Sequence, residues 1–219
     1  MAAHTGKLSQ EAIVASAIEL ADADGLDGLS MRKIADSLGV GAMSLYRHVA
    51  DKDQLVGIMV EEVIGNFAYP PALSGDWRAD AHLAADIDWR MYQQHPWIMY
   101  ALTNPRHNMG PESLRSLAWL MEVFAPVAAT DAEAAQMAYI LWNYVLGVSV
   151  NFITDNPEPD EPEAIWQELL AHEPSRVPEP IVNLVASGGI QTLIDADAML
   201  RQGVDDLCDG FAARNMATG

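Results

Sequence analysis

Residues 30–55 read SMRKIADSLGVGAMSLYRHVADKDQL, and this stretch narrows the fold more than any other part of the chain. Ser30 is placed to cap a short helix with Ile34 and Leu38 turned inward, and that helix stops at Gly39. Gly41 starts the next one, AMSLYRHV, with Leu45 and Val49 facing inward. Small residues in the LGVG turn let the two helices cross closely, and Val40 can plug the gap between them. Two short helices joined by such a turn are the helix-turn-helix signature, in which the second helix enters the major groove of DNA. Ala42, Met43, Ser44, Tyr46, Arg47 and His48 would then point toward the groove and its walls. Tyr46, Arg47 and His48 can donate to phosphates, while Ser44 and Met43 can touch base edges. Arg32, beside Lys33 at the start of the preceding helix, can reach the backbone or a guanine. Lys52 and the free amides opening the following helix add a phosphate anchor.

The charge of the whole chain opposes this reading. A net charge of −19 repels phosphate and argues against indiscriminate binding to nucleic acid. Residues 30–52, however, carry Arg32, Lys33, Arg47 and Lys52 against Asp36 and Asp51, a net of +2, with His48 in addition. Salt screens the remaining acidity beyond about 8 Å at physiological ionic strength. A basic face therefore survives if the neighbouring acids point elsewhere.

The rest of the chain is predicted to be all-α. A first helix spans 9–24, capped by Ser9, with Ile13, Ala17, Leu20 and Ala21 on one face, and a fourth runs over 52–66. The segment YPPALSGD (69–76) breaks the pattern and separates a DNA-binding part, residues 1–66, from a larger helical part, 67–219. Helices are expected there at 77–94, 97–104, 111–125, 131–154, 162–172, 178–193 and 196–214, with an acidic, proline-rich loop at 155–163. Residues 134–154 carry no charge, which by length would allow a membrane span. Gln136, Asn143, Asn151 and acidic flanks without Lys or Arg favour a buried central helix instead. The start, MAAHTGKLSQ, lacks a leader-like apolar run, and the single Cys208 allows no internal disulfide. A cytoplasmic protein is expected.

LSMRKIADSLGVGAMSLYRHVADKDQLV, with GLDGLSMRKIA at its front, closely resembles the DNA-binding region of the tetracycline-repressor family of transcriptional regulators, a resemblance that covers roughly residues 9–66. It implies a homodimer whose paired recognition helices read a palindromic operator, usually as a repressor. By position, Arg32, Ser44, Tyr46, Arg47, His48 and Lys52 match operator-contacting places in the family. Gly41, Ala42 and Met43 match places that vary with operator sequence. More weakly, QQHPW, NMGPESLRSLAWL and YVLG resemble the family's tetracycline-repressor-like C-terminal class, an all-helical ligand and dimerisation domain. Within that class the last long helices of two subunits form a four-helix bundle. The stripe Leu200, Val204, Leu207 and Phe211 suits that role. The parent member holds a magnesium–tetracycline complex through a His and a Glu. Those places here are Leu102 or a neighbour, and Asn151, so the resemblance implies a metal-free, largely apolar effector and no cofactor.

All six tryptophans lie in this second part, alongside Tyr92, Tyr100, Tyr139 and Tyr144. Aromatic side chains with polar handles either fill a core or line an adaptable pocket. The candidate ligand contacts are Asp88, Trp89, Tyr92, Tyr100, Leu117, Met121, Tyr139 and Trp142. Asn143 and Asn151 join them as amides on an otherwise apolar helix that would need partners if buried. An enzyme is disfavoured. The six histidines form no paired metal motif, GVSVN (147–151) lacks the second glycine of a nucleophile elbow, and GVGAMS (39–44) lacks the third of a dinucleotide loop. A helical interaction module without DNA activity is the competing class.

Overall fold

The computed structural model describes residues 8–153, 168, 170–172 and 177–216. The helices with defined bounds are α1 (Gln10–Gly28), α2 (Met31–Leu38), α3 (Ala42–Leu45), α4 (Lys52–Asn66), α5 (Trp77–Gln94), α6 (Trp97–Ala101), α7 (Pro111–Phe124), α8 (Asp131–Phe152), α9 (Glu179–Ala186), α10 (Gln191–Ile194) and α11 (Ala196–Met216). The described residues contain no strand. The expected loop at 155–163 and most of the expected helix at 162–172 lie outside the described residues.

Local chemistry sets several helix starts. Ser9, Ser30, Asp51, Asp76 and Thr130 each accept a backbone N–H of the first turn they cap. At α4 the cap is reciprocal: Asp51 accepts from Gln54 N, and Gln54 accepts in turn from Ala50 N at 2.6 Å. Gly39 ends α2 in the left-handed conformation, at φ 67°, where its N–H reaches the carbonyls of Ala35 and Asp36. A side chain there would strain the turn, so the glycine of LGVG is a backbone requirement.

Several helices differ from the sequence reading, among them the one expected over 97–104, which ends at Ala101. The first runs on past residue 24 to Gly28, through a kink at Gly25. The segment expected as one helix over 178–193 is two, α9 and α10, divided at Gly188. The recognition helix is shorter than AMSLYRHV: α3 ends at Leu45, and residues 46–48 continue as tight turns closed by Arg47 N to Ser44 O and His48 N to Leu45 O. Three-residue spacing winds the chain more tightly, so Arg47 and His48 leave the α-helical path that the sequence pattern suggests.

α8 is the centre of the second part, packed by α5, α7 and α11. Met137, Ala138, Leu141 and Val145 on it are fully buried. No helix among the described residues is long and apolar enough to cross a membrane. α11 lies against α5 and α8 of its own subunit, and Leu200, Val204, Cys208 and Phe211 are buried there. Leu200, Val204 and Phe211 of the stripe read as a dimer surface therefore face inward, and Leu207 is half-buried beside them. Periodicity identifies an apolar face but not the neighbour that covers it. Arg78 to Asp209 (2.7 Å) and His82 to Asp205 (2.8 Å) fasten α5 to α11 at the edge of this contact.

Candidate DNA-reading face and ligand pocket

α2 and α3 cross on Ile34, Ala35, Leu45 and Val49, all at most 2% exposed. With those side chains anchored inward, the opposite side of α3 is presented to solvent. Met43 is 77% exposed, Tyr46 is 46% exposed, and Arg47 is exposed with no ion pair among the described residues. Ala42, Ser44 and His48 are half-buried beside them. Arg32 projects from α2 with a 90% exposed side chain and only a loose 3.9 Å approach to Asp36. The two lysines are committed locally. Lys33 pairs with Asp24 at 2.9 Å, and Lys52 Nζ donates to the Leu26 carbonyl at 2.7 Å, tying the start of α4 to the end of α1.

Several acids of this region are engaged away from that face, while Asp36 stays exposed beside Arg32. Asp51 is spent as the α4 cap. Asp22 on α1 accepts from Trp97 Nε1 (2.7 Å) and lies 2.8 Å from His95 Nδ1. Asp53, in the first turn of α4, lies 2.9 Å from Nε2 of the buried His107, whose Nδ1 sits 3.0 Å from the Ala101 carbonyl. Glu61 further along α4 caps α7: it accepts from Glu112 N at 2.7 Å and from both N and Oγ of Ser113. Gly110 allows this approach, because a Cβ there would collide with the Glu61 carboxylate. Three carboxylates that lower the net charge of the first part thus serve as fasteners to the second. Removing the Glu61 cap with Glu61→Ala should cost about 1–2 kcal/mol of unfolding free energy in a urea titration, the usual value of an N-terminal cap.

A cavity lies where α4, α5, α7 and α8 meet. It has about 130 Å³ of free volume within roughly 750 Å³ of space not filled by protein atoms, its mouth included. Of the candidate ligand contacts, Asp88, Tyr92, Tyr139, Trp142 and Asn143 line it. Five others do not. Trp89 is buried in the core, and Tyr100 is 53% exposed elsewhere. Leu117 and Met121 pack half-buried on α7. Asn151 is exposed, and its amide donates to the Gly147 carbonyl one turn back. Asn143 is also exposed and donates to the Tyr139 carbonyl at 2.7 Å, so neither asparagine is the buried amide awaiting a partner that the sequence suggested. An exposed asparagine on a helix satisfies itself from its own backbone.

Several lining residues were not foreseen: Ile64 and Phe67 at the end of α4, Tyr69 after it, and Ser113 and Ser116 on α7. Tyr69 is the most consequential. It stands in the proline-rich break, where Pro70 biases it toward extended backbone and the stretch reads as a linker. Its hydroxyl donates to Asp88, with both carboxylate oxygens at 3.0 Å, and accepts from Trp142 Nε1, also at 3.0 Å. Its ring lies 4.8 Å from that of Trp119. Burial pushes the Asp88 carboxyl up to about 7, against the opposing pull of the Tyr69 hydrogen bond.

A helix-turn-helix face on one helical unit and an aromatic cavity in the next define a ligand-sensing transcriptional regulator as the class of protein. Residues 13–57 match the family model for bacterial regulatory proteins of the tetR family, and residues 69–214 match the tetracycline repressor-like C-terminal domain. The chain belongs to the tetracycline-repressor family of bacterial transcriptional regulators. It is similar to an HTH-type transcriptional regulator of Saccharopolyspora erythraea, 31% identical over 94% of this chain and 85% of that one. It is also similar to the HTH-type transcriptional repressor DrrR1 of Streptomyces coeruleorubidus, 34% identical over 65% of this chain. That match spans 53% of the DrrR1 length. Among solved structures, ActR of Streptomyces coelicolor in complex with actinorhodin aligns with a TM-score of 0.80 at 26% identity, covering 96% of this chain and 99% of that one.

Proposed function

We propose that the chain is a cytoplasmic repressor that binds a palindromic operator as a homodimer and leaves it when a small, largely apolar molecule fills the cavity. Residues 1–66 would carry operator recognition, and 67–219 ligand binding and dimerisation. The observation that carries this reading is the double role of α4. Its first turn follows directly on the DNA-reading turns, and its other end, through Ile64 and Phe67, is a wall of the cavity. Ser113 adds a second route, since it both lines the cavity and donates to Glu61 of α4. A ligand that crowds this corner displaces α4 and with it the spacing of the two reading heads. A coupling of roughly 1–3 kcal/mol is enough to change operator occupancy substantially. For dimerisation, α8 leaves Tyr139, Asn143, Gly147 and Val150 exposed along one stripe that a second copy can cover. The relatives named as repressors, and ActR with its bound small molecule, support the same reading.

The test begins with selection of bound duplexes from random DNA. Arg47→Ala or Tyr46→Ala should each weaken binding to the selected operator roughly tenfold, the loss expected for one good contact, with the helical circular dichroism unchanged. Retention of parental affinity by both variants would remove the reading face from the turns that follow α3. Failure of the parent to retard any duplex at low salt would favour an interaction module instead.

A further inference from the structure

The cavity contains one group that a purely apolar ligand leaves unused. Asp88 lines it, is 7% exposed, and is the one carboxylate among the lining residues, which include no Lys, Arg or His. No cationic side chain pairs with it among the described residues; the hydroxyl of Tyr69 is its hydrogen-bond donor. A lone buried carboxylate is costly, and one neutral hydroxyl offsets little of the lost hydration. An asparagine would accept the same hydrogen bond at lower cost, so holding Tyr69 does not account for an acid here. The surroundings suit a positive partner. Phe67, Tyr69, Tyr92, Tyr139 and Trp142 wall the same space, and aromatic faces attract a cation as well as stacking on a flat ring.

We propose, building on the ligand-sensing reading above, that this pocket selects a planar aromatic cation, a fused-ring body carrying an amine or ring-nitrogen charge that pairs with the Asp88 carboxylate. The rings supply the area buried against the aromatic wall. The charge supplies selectivity, because an anion meets Asp88 with no base to answer it, and a neutral ring leaves the acid without a counterion. Burial raises the Asp88 carboxyl to about 7, so arrival of a cation also draws it into its ionised form.

Two probes with one ring system separate the contributions: 9-aminoacridine, a cation at pH 8, and acridine, neutral at that pH. Binding to the full chain without DNA is read from the fluorescence anisotropy of each probe. The cation should bind at least tenfold more tightly than acridine. In Asp88→Asn the two affinities should come within about threefold of each other through loss of the cation's affinity alone. Tyr69→Phe removes the hydroxyl but keeps the carboxylate, so the preference should persist there, which keeps the inference testable if Asp88→Asn folds poorly. Equal affinities on the parent, a preference that survives Asp88→Asn, a preference lost in Tyr69→Phe, or no binding of either probe would each overturn it. Release of a selected operator, compared between parent and Asp88→Asn to subtract intercalation of the probes, is a separate readout. Asp88-dependent binding without release leaves the charge selection standing and removes the repressor-release reading. Equal binding and equal release by both probes does the reverse.

Discussion

Phe124→Ala should lower the free energy of unfolding by about 3–5 kcal/mol, the cost of emptying a large, closed site in a helical core. Phe124 is wholly buried at the end of α7. Its ring meets Phe211 of α11 edge-on at 5.4 Å and Trp77 of α5 at 6.3 Å, so one side chain holds three helices together. The rigid aromatic neighbours cannot collapse into the space, which puts the loss at the upper end for a core substitution. Edge-to-face pairs add about 0.5–1.5 kcal/mol beyond buried area. Set against a typical total of about 5–15 kcal/mol, this is enough to unfold a substantial part of the population under mild heating. Urea titrations of parent and variant at one protein concentration measure it, with exposed Leu114→Ala as the control expected to shift by less than about 0.5 kcal/mol. A loss below about 1 kcal/mol for Phe124→Ala would mean that the α5–α7–α11 joint repacks freely.

The second large effect is a dependence of stability on pH that runs opposite to ordinary acid denaturation. Asp88 has a folded pKa of about 7 against an ordinary value near 3.8, so between those values the folded chain holds a proton that the unfolded chain has released. Unfolding free energy falls with pH wherever the native state binds more protons. The contribution is therefore fully present below pH 3.8, declines as pH rises toward 7, and is level above that. Tyr69 and Tyr92 face Asp88 and are themselves pushed well above the usual tyrosine range by burial, so neither titrates in this window. Between pH 5 and pH 8 the parent should lose on the order of 2 kcal/mol relative to Asp88→Asn. The difference between the two urea-derived curves isolates Asp88 from every other titrating group. Parallel curves would show that its burial carries no ionisation cost.

The parts of the molecule legible in the sequence are those decided by neighbours a few positions away. Ser30, Gly39 and Asp51 act on backbone groups within one turn, and Leu45 and Val49 share a face because helical spacing puts them there. These residues, with the resemblance of the same stretch to a known family, suffice to mark out the candidate DNA-reading face. The uncharged run at 134–154 is likewise readable as a central helix, since so apolar a segment with acidic flanks calls for packing on most of its faces.

The ligand site is legible only in part. Asp88, Tyr92, Tyr139 and Trp142 stand out as aromatic or acidic residues on the right helices, but Trp89, one position from Asp88, turns into the core instead. Tyr69 escapes notice, because a residue beside two prolines reads as linker until the fold brings it back against α5 and α8. The inward packing of Leu200, Val204 and Phe211 is equally hidden. Composition, caps and apolar spacing by themselves determined the helical class and the interruption at YPPALSGD, and with the family resemblance they marked a candidate reading head, because caps, glycines and apolar spacing act through local backbone geometry. Tertiary structure alone decided which apolar stripe met which helix, which aromatics walled the cavity, and that Asp88 would be buried against the Tyr69 hydroxyl. Those outcomes depend on contacts between residues tens of positions apart, whose partners no local pattern names.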